Sequence, residues 1–325
     1  MNVNLINKKV LFIGIGFYDY EDAIRRKIQE LGAIVTYYSD KSVWEKYLVL
    51  KVLAKTFSLN NAKLIDAHFD RVLKKIDGET FDYVLVIKGD RLTERFISTL
   101  RTKLNSAHFI LYQWDSLVRI PSVPKLFPYF NKIFSFDRVD CLSNEALTFR
   151  PLFFRDECSN EKSCTKFDMT FIGLLHSERF SYIDTISKWA KENQLSTFFY
   201  LTTGLKVFVQ NLYSGKLKLL HIRRLSYRKV MAIIAASKVI IDISHPLQSG
   251  LTMRTIEAIG QRKKIITTNS DVLNYDFYND NNIVVFHGDT EGLSREFIDM
   301  PYSRVADSII SRYTLTSWVS DVFRV

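Results

Sequence analysis

In the stretch His245–Asn269, HPLQSGLTMRTIEAIGQRKKIITTN, an arginine and a glutamate stand three positions apart just after a turn of small residues. Residues at that spacing share one face of a helix, so Arg254 and Glu257 can address one ligand together. A guanidinium holds phosphate oxygens, and a carboxylate accepts hydrogen bonds from hydroxyls. Ser249, Gly250 and Thr252 lie where the helix should begin, where first-turn N–H groups and the helix dipole favour an anion. His245, before Pro246, follows the preceding strand and faces the same place. A phosphate joined to a ribose satisfies the whole set. The same residues also admit plainer uses. Glu257 can pair with Arg254 at the helix margin, Ser249, Gly250 and Thr252 can form a turn and a cap, and Met253, Ile256 and Ile259 read as core.

The elements around this turn form a β-loop-α-β unit. The apolar run Lys238–Ile243 reads as a buried strand, Leu251–Gln261 as a short helix, and Lys264–Thr268 as the next strand. The chain opens in the same way, with a strand at Lys8–Ile15, a helix over Asp22–Leu31 ended by Gly32, and a strand at Ala33–Tyr38. Gly14 and Gly16 suggest a dinucleotide fingerprint, but Asp19 fills the place of its third glycine, so NAD is not the expected ligand. Val43–Ile76 is helical in character, and strands follow at Phe81–Ile87, His108–Tyr112 and Lys132–Phe136. In a parallel sheet their carboxyl ends put the loops carrying Asp19, Lys88, Asp115 and Asp137 on one rim. After the polar stretch Arg155–Lys166 the pattern repeats. Strands are predicted at Asp168–Gly173, Thr197–Leu201, Leu217–Ile222 and Asn282–Phe286, with helices from Arg179 and over Tyr227–Ala236. This alternation predicts an α/β chain with an N-terminal Rossmann-like domain over 1–154, a linker at 155–166, a second such domain over 167–302 and terminal helices over 303–325.

The turn and helix, with Gly250 and its small neighbours ahead of Glu257-Ala258, resemble the nucleotide-sugar site in the C-terminal domain of GT-B glycosyltransferases. The longer likeness, through SGLTMRTIEAIGQRKKIITTN and the later YDFYNDNNI, is to glycosyltransferases of bacterial capsule and lipopolysaccharide biosynthesis. That resemblance implies two Rossmann-like domains facing across a cleft, with the donor on the second, the acceptor on the first, and the terminal helices crossing back. It implies that Glu257 holds the ribose, and that His176 and Arg179, in the loop GLLHSER, lie on the phosphates. Retaining members carry two Glu eight positions apart, and here the earlier position is Ser249, so inverting chemistry is expected.

Glycosyl transfer needs a stabilised leaving diphosphate and an acceptor hydroxyl that loses its proton. For the proton, Asp115 is the first choice, because neighbouring Trp114 offers a stacking face for a sugar and keeps water off. Asp19 is the second. Gly14, Gly16 and Lys88 complete the acceptor side. The resemblance implies helix N-termini and basic side chains in place of a metal, with the nucleotide sugar as co-substrate and no cofactor; Cys158 and Cys164 sit in a polar segment without a neighbouring His, so no metal site is expected there.

At 325 residues, 47% hydrophobic and 25% charged, the composition suits two soluble domains. No run approaches the roughly 20 apolar residues of a membrane span, Met1–Val10 lacks a signal-peptide core, and the three cysteines suit a reducing compartment. A cytoplasmic protein is the expectation. A net charge of +10 calls for a polyanionic partner. Nucleic-acid motifs are missing, which leaves phosphate and anionic lipid. The basic and aromatic stretch Leu205–Lys229 suits peripheral contact with an anionic membrane, where a lipid-linked acceptor would be met. The expected activity is metal-independent transfer of a sugar from a nucleotide donor to a surface polysaccharide or lipid-linked oligosaccharide. A nucleotide-activated polyol transferase of the same fold and a non-catalytic nucleotide-binding scaffold of polysaccharide assembly are the alternatives.

Overall fold

A computed structural model describes residues 3–16, 19–42, 61–157, 164–175, 179–210 and 219–324. The chain divides into unit 1, Met1–Pro151 with Trp318–Val325, and unit 2, Leu152–Ser317. Each holds one parallel sheet of six strands with helices packed on it, the α/β class that the alternation predicts.

Unit 1 runs β1 (Lys9–Gly14), α1 (Tyr20–Glu30), β2 (Ile34–Ser39), α2 (Asn61–Lys75), β3 (Tyr83–Ile87), α3 (Glu94–Lys103), β4 (His108–Gln113), β5 (Lys132–Ser135), α4 (Arg138–Ser143) and β6 (Thr148–Phe149). Its strand order is β2-β1-β3-β4-β5-β6. Central strands of a parallel sheet are covered on both faces and read as unbroken apolar runs. Accordingly Val10, Leu11 and Phe12 of β1 and Val84, Leu85 and Val86 of β3 are fully buried. Helix α3 went unread in the sequence. Phe96, Ile97 and Leu100 bury its inner face, and Thr93 caps it by accepting the Phe96 N–H. Of the helical stretch predicted over Val43–Ile76, residues 43–60 lie outside the described residues.

Unit 2 runs β7 (Phe167–Leu174), α5 (Arg179–Glu192), β8 (Thr197–Thr202), α6 (Leu205–Gln210), β9 (Leu220–His221), α7 (Tyr227–Ala235), β10 (Ser237–Asp242), α8 (Met253–Gly260), β11 (Lys264–Thr267) and β12 (Ile283–Val285). Its order is β12-β11-β10-β7-β8-β9. Arg155 and Asp156, from the polar stretch, pack within this unit. The Arg155 guanidinium lies 3.8 Å from the Tyr227 ring centroid, and Asp156 accepts the Thr316 hydroxyl at 2.7 Å. The aromatic loop around Tyr275 and Phe277 also packs here, Phe277 standing edge-on to Tyr313 at 5.0 Å. The last helix, α9 (Leu315–Val322), carries Trp318, which is fully buried in unit 1 edge-on to Tyr112 at 4.8 Å.

The winding fixes where each sheet opens. In unit 1 the chain steps from β1 outward to β2 and returns on the other side at β3. In unit 2 it steps from β7 through β8 and β9 and returns at β10. At such a switch point the loops leaving the two strands part in opposite directions, and ligands of open α/β sheets bind beyond the carboxyl ends there.

Candidate functional site

At the switch point of unit 2 stands Arg179, the first residue of α5. Its Nε donates to the Ile243 carbonyl at 2.7 Å, just past β10, and its Nη1 donates to the Leu174 carbonyl at 2.9 Å, the end of β7. One guanidinium thus stitches the parting strands and fixes a positive charge on the rim. Gly173 leaves room for it: a Cβ there would come within 3.3 Å of Arg179 Nη1 and 2.7 Å of Phe171 Cζ. His176, the other basic residue expected in this loop, lies outside the described residues.

The loop after β10 is held from within. Asp242, buried at the strand end, accepts the hydroxyls of Thr252 at 2.7 Å and Thr255 at 2.6 Å. Thr252 is the cap of α8, its Oγ1 accepting the N–H groups of Arg254 and Thr255. Asn269, beyond β11, donates to the carbonyls of Ser249 at 2.9 Å and Gly250 at 3.2 Å. The Leu247 N–H donates to His245 Nδ1 at 3.1 Å, which in the neutral ring puts the proton on Nε2. His245, Ser249, Gly250 and Thr252 therefore belong to one braced turn. Two of the first-turn amides that the sequence offers to an anion are taken by Thr252, and the Asp242 carboxylate stands behind the same turn. Anion binding at this rim therefore falls to side-chain cations.

Arg254 and Glu257 meet as their spacing predicts, Nη1 to Oε2 at 2.7 Å. The pair is not the marginal one expected at the helix surface. Glu257 is fully buried, whereas the Arg254 side chain keeps a fifth of its surface exposed. A buried carboxylate holding an arginine at the rim orients the guanidinium.

In unit 1 the structure gives the glycine loop an unexpected occupant. Glu21, in the first turn of α1, accepts the Ile15 N–H, the Gly16 N–H at 2.7 Å and the Tyr37 hydroxyl at 2.6 Å. Burial pushes its carboxyl above the usual range, against the pull of these donors. Gly14 is required by this contact, since a Cβ would stand 2.6 Å from Glu21 Cδ, and Gly16 takes a left-handed φ of 63°. The loop that resembles a phosphate cradle is thus filled by the protein's own carboxylate.

Lys88 adopts a left-handed φ of 68° and reaches Asp90 at 3.0 Å and Asp115 at 3.4 Å. The other Asp115 oxygen accepts from Arg119. Lys88 and Asp115 are therefore brought together beside Trp114, whose ring lies 6.0 Å from those of Tyr20 and Tyr112. Both Asp115 oxygens face cations, so an acceptor hydroxyl would have to displace one. Asp19 stands apart, exposed, with a φ of 58° and no side-chain hydrogen bond to the α1 terminus. Asp137 and Asp140 serve the fold. Asp137 caps α4 and accepts the Ser116 hydroxyl, and Asp140 accepts the Leu117 N–H, its carboxyl pushed up to about 6 by burial.

Sequence reasoning missed Glu21, Asp242 and Asp40. The Asp at the end of KVIIDI, followed by Thr252 and Thr255 at a helix start, was a legible signal for Asp242. Asp40 lies just beyond β2. It is 1% exposed, neither of its oxygens is hydrogen-bonded among the described residues, and its nearest cation, Arg91 Nε, is 4.0 Å away.

No protein-family model matches the chain, and no curated protein matches its sequence. Among solved structures it is similar to an α,α-trehalose-phosphate synthase (UDP-forming) from Burkholderia xenovorans, solved with glucose-6-phosphate, at 11% identity over 97% of this chain and 99% of that one, with a TM-score of 0.60. It is likewise similar to the N-terminal domain of trehalose-6-phosphate phosphatase from Candida albicans (9% identity, 99% and 97% covered, TM-score 0.58). A third is a putative UDP-N-acetylglucosamine 2-epimerase from Listeria monocytogenes (11% identity, 97% and 94% covered, TM-score 0.50). At such identities the likeness establishes the fold: the chain shares the two Rossmann-like units of these proteins over nearly its whole length.

Proposed function

We propose that the chain is a nucleotide-sugar-dependent glycosyltransferase of the GT-B type, with the donor on unit 2 and the acceptor on unit 1. The observation that carries this reading is the rim of unit 2. Arg179 is stitched across the switch point, and Arg254 is presented by the buried Glu257 on a turn braced by Asp242 and Asn269. As the bond from the anomeric carbon to the donor phosphate breaks, negative charge collects on the departing nucleoside diphosphate. Fixed cations that need no rearrangement stabilise that charge. Arg179 and Arg254 take this role without a metal, the neutral His245 ring offers its Nε2–H as a donor, and Ser249, Gly250 and Thr252 shape the turn that faces the diphosphate. His176 is the further candidate in the preceding loop. Inverting attack by an acceptor hydroxyl is preferred, since Ser249 supplies no second carboxylate. The UDP named for one structural neighbour and the UDP-sugar named for another make uridine the first nucleotide to try.

The acceptor is proposed to be a surface polysaccharide or lipid-linked oligosaccharide, reached at an anionic membrane face. Among the described residues no helix is long and apolar enough to cross a membrane. Instead Leu205, Val209 and Ile222 are 64%, 50% and 48% exposed, and Lys206, Arg223, Arg224, Arg228 and Lys229 are exposed in the same stretch of sequence. Apolar side chains interspersed with cations suit insertion among acidic headgroups. Binding to phosphatidylglycerol vesicles that weakens with salt is the expected result, and equal binding to neutral vesicles counts against this placement.

The test of the main reading is a thermal-shift screen against UDP, GDP, CMP, CDP and NAD, with and without EDTA, repeated on Glu257→Gln. Ligand at about 100 times its dissociation constant adds about 2.7 kcal/mol. One nucleoside diphosphate should stabilise the protein, indifferently to EDTA, and far less in the variant. Stabilisation by NAD alone, or by none of the five, overturns the proposal. Nucleotide binding without turnover of any nucleotide sugar would instead favour the scaffold.

A further inference from the structure

The carboxyl of Asp40 has a placement that neither the sheet nor the core requires. Its backbone N–H donates to the Gly14 carbonyl at 2.7 Å, which sets the residue at the carboxyl end of β2, against the strand that borders the unit 1 switch point. The side chain is 1% exposed, yet both oxygens lack a hydrogen bond among the described residues. Burying a carboxyl without partners is costly, and buried polar groups are otherwise almost always satisfied. Two unmet carboxyl oxygens one strand from a switch point can accept from a hydroxyl.

The surroundings indicate the kind of ligand. Charged and titratable neighbours are Glu21 from α1, Tyr37 from β2, Lys41 after it, and Asp90 and Arg91 from the loop after β3; His68 of α2 bonds the nearby Ser39 carbonyl at 2.8 Å. The cations on this rim are directed inward. Lys88 lies on Asp90 and Asp115, Arg119 on Asp115, Arg91 is nearest Asp40, and Lys41 points at the Gly16 carbonyl at 3.5 Å. Glu21 already holds the amides of Ile15 and Gly16, so a phosphate entering that loop would meet a carboxylate. For a hydroxyl to reach Asp40, Arg91, a third exposed and 4.0 Å away, would have to move. Burial pushes the Asp40 carboxyl up to about 7, with Arg91 opposing, so it gains and loses a proton near neutrality.

We propose that the rim of unit 1 binds an uncharged sugar hydroxyl, that Asp40 accepts its proton, and that Glu21 closes the neighbouring loop to phosphates. The inference rests on the transferase reading and specifies its acceptor. The acceptor oxygen bonds to the anomeric carbon, the bond from that carbon to the donor phosphate breaks with its electron pair going to the nucleoside diphosphate, and the hydroxyl proton passes to an Asp40 oxygen.

The experiment compares the full-length protein with Asp40→Asn and Asp40→Ala, using methyl glycosides of glucose, galactose and N-acetylglucosamine and, separately, glucose 6-phosphate. Binding is read by saturation-transfer NMR, and release of UDP from UDP-sugars in the presence of each glycoside is read alongside. Asp40→Ala should weaken glycoside binding about tenfold. Asp40→Asn, which keeps a hydrogen-bonding group, should bind within about threefold of the parent while UDP release falls by about a hundredfold or more. Glucose 6-phosphate should not bind. The proposal is overturned if no glycoside binds the parent, if glucose 6-phosphate binds as well as methyl glucoside, or if Asp40→Asn releases UDP at the parental rate. The UDP-induced thermal shift separates the two readings. It should persist in both variants, and its absence from the parent would sink the donor assignment while leaving Asp40-dependent glycoside binding intact.

Discussion

An unpartnered buried carboxyl should reveal itself in stability before any substrate is known. Asp40 moves from an ordinary carboxyl value of 3.8 to about 7 in the folded protein, because burial disfavours its charged form. The folded state therefore keeps this proton after the unfolded chain has lost it. The stability associated with the site is fully present below the unfolded value and is lost as pH rises through the folded one. About three units at 1.36 kcal/mol each give a loss on the order of 4 kcal/mol. Asparagine imitates the protonated carboxyl and cannot ionise. Asp40→Asn should thus match the parent near pH 4 and exceed it in stability above pH 7, by a Tm difference of about ten degrees in the transition that reports unit 1. Glu21 is raised in the same direction but is present in both proteins, so its contribution cancels in the difference. Calorimetric unfolding of both proteins across this range is the assay. A difference that does not change with pH, or an Asp40→Asn protein less stable than the parent at alkaline pH, would refute the reasoning. In the first case the carboxyl does not titrate abnormally, and in the second it is charged and satisfied.

Three further outcomes follow from contacts at the two rims. Thr252→Val removes the α8 cap and one hydroxyl from Asp242, and should destabilise unit 2 by about 1–3 kcal/mol in urea unfolding, with nucleotide affinity falling in parallel. Arg254→Met leaves the Glu257 carboxylate buried without its cation, at about 3–5 kcal/mol; adding Glu257→Leu should restore most of that stability without restoring nucleotide binding, and a double variant as unstable as the single one counts against the pairing. Gly14→Ala drives a methyl to within 2.6 Å of Glu21 Cδ, so a loss of about 1–3 kcal/mol should largely vanish when Glu21→Ala is combined with it, whereas simple additivity in the double-mutant cycle would show that the two residues do not meet.

The architecture was legible because it rests on local patterns. Unbroken apolar runs such as YVLVI and KVIIDI announce buried parallel strands, and Gly32 after a helical repeat announces a turn back to the sheet. Arg254 and Glu257 were legible as a pair because helical spacing alone brings them together. Helix α3 carries Phe96, Ile97 and Leu100 at helical spacing, but these are the three apolar positions in a ten-residue segment and make a short signal. Glu21 could not be read as it stands. Its role depends on a glycine seven positions earlier lying under it and on Tyr37 arriving from the next strand, and neither is a property of the helix it belongs to.

The two rims use their buried carboxyls differently, and the proposed ligands follow from that difference. Both units offer the same topology, a switch point with a helix starting beside it. In unit 1 the loop amides are closed by Glu21, and Asp40 adds a second buried carboxyl, so negative charge or its proton is already in place. In unit 2 the carboxylates, Asp242 and Glu257, are just as buried but hold threonines and an arginine, and Arg179, His245 and Arg254 stand at the rim. In the proposed assignment a phosphate is disfavoured where Glu21 holds the loop amides and favoured beside Arg179 and Arg254. A hydroxyl about to lose its proton has the opposite preference. Under the proposed reading, one fold used twice, with Asp40 left without hydrogen bonds among the described residues in one copy and Asp242 and Glu257 committed to threonines and an arginine in the other, separates the two demands of glycosyl transfer, the leaving anion and the departing proton.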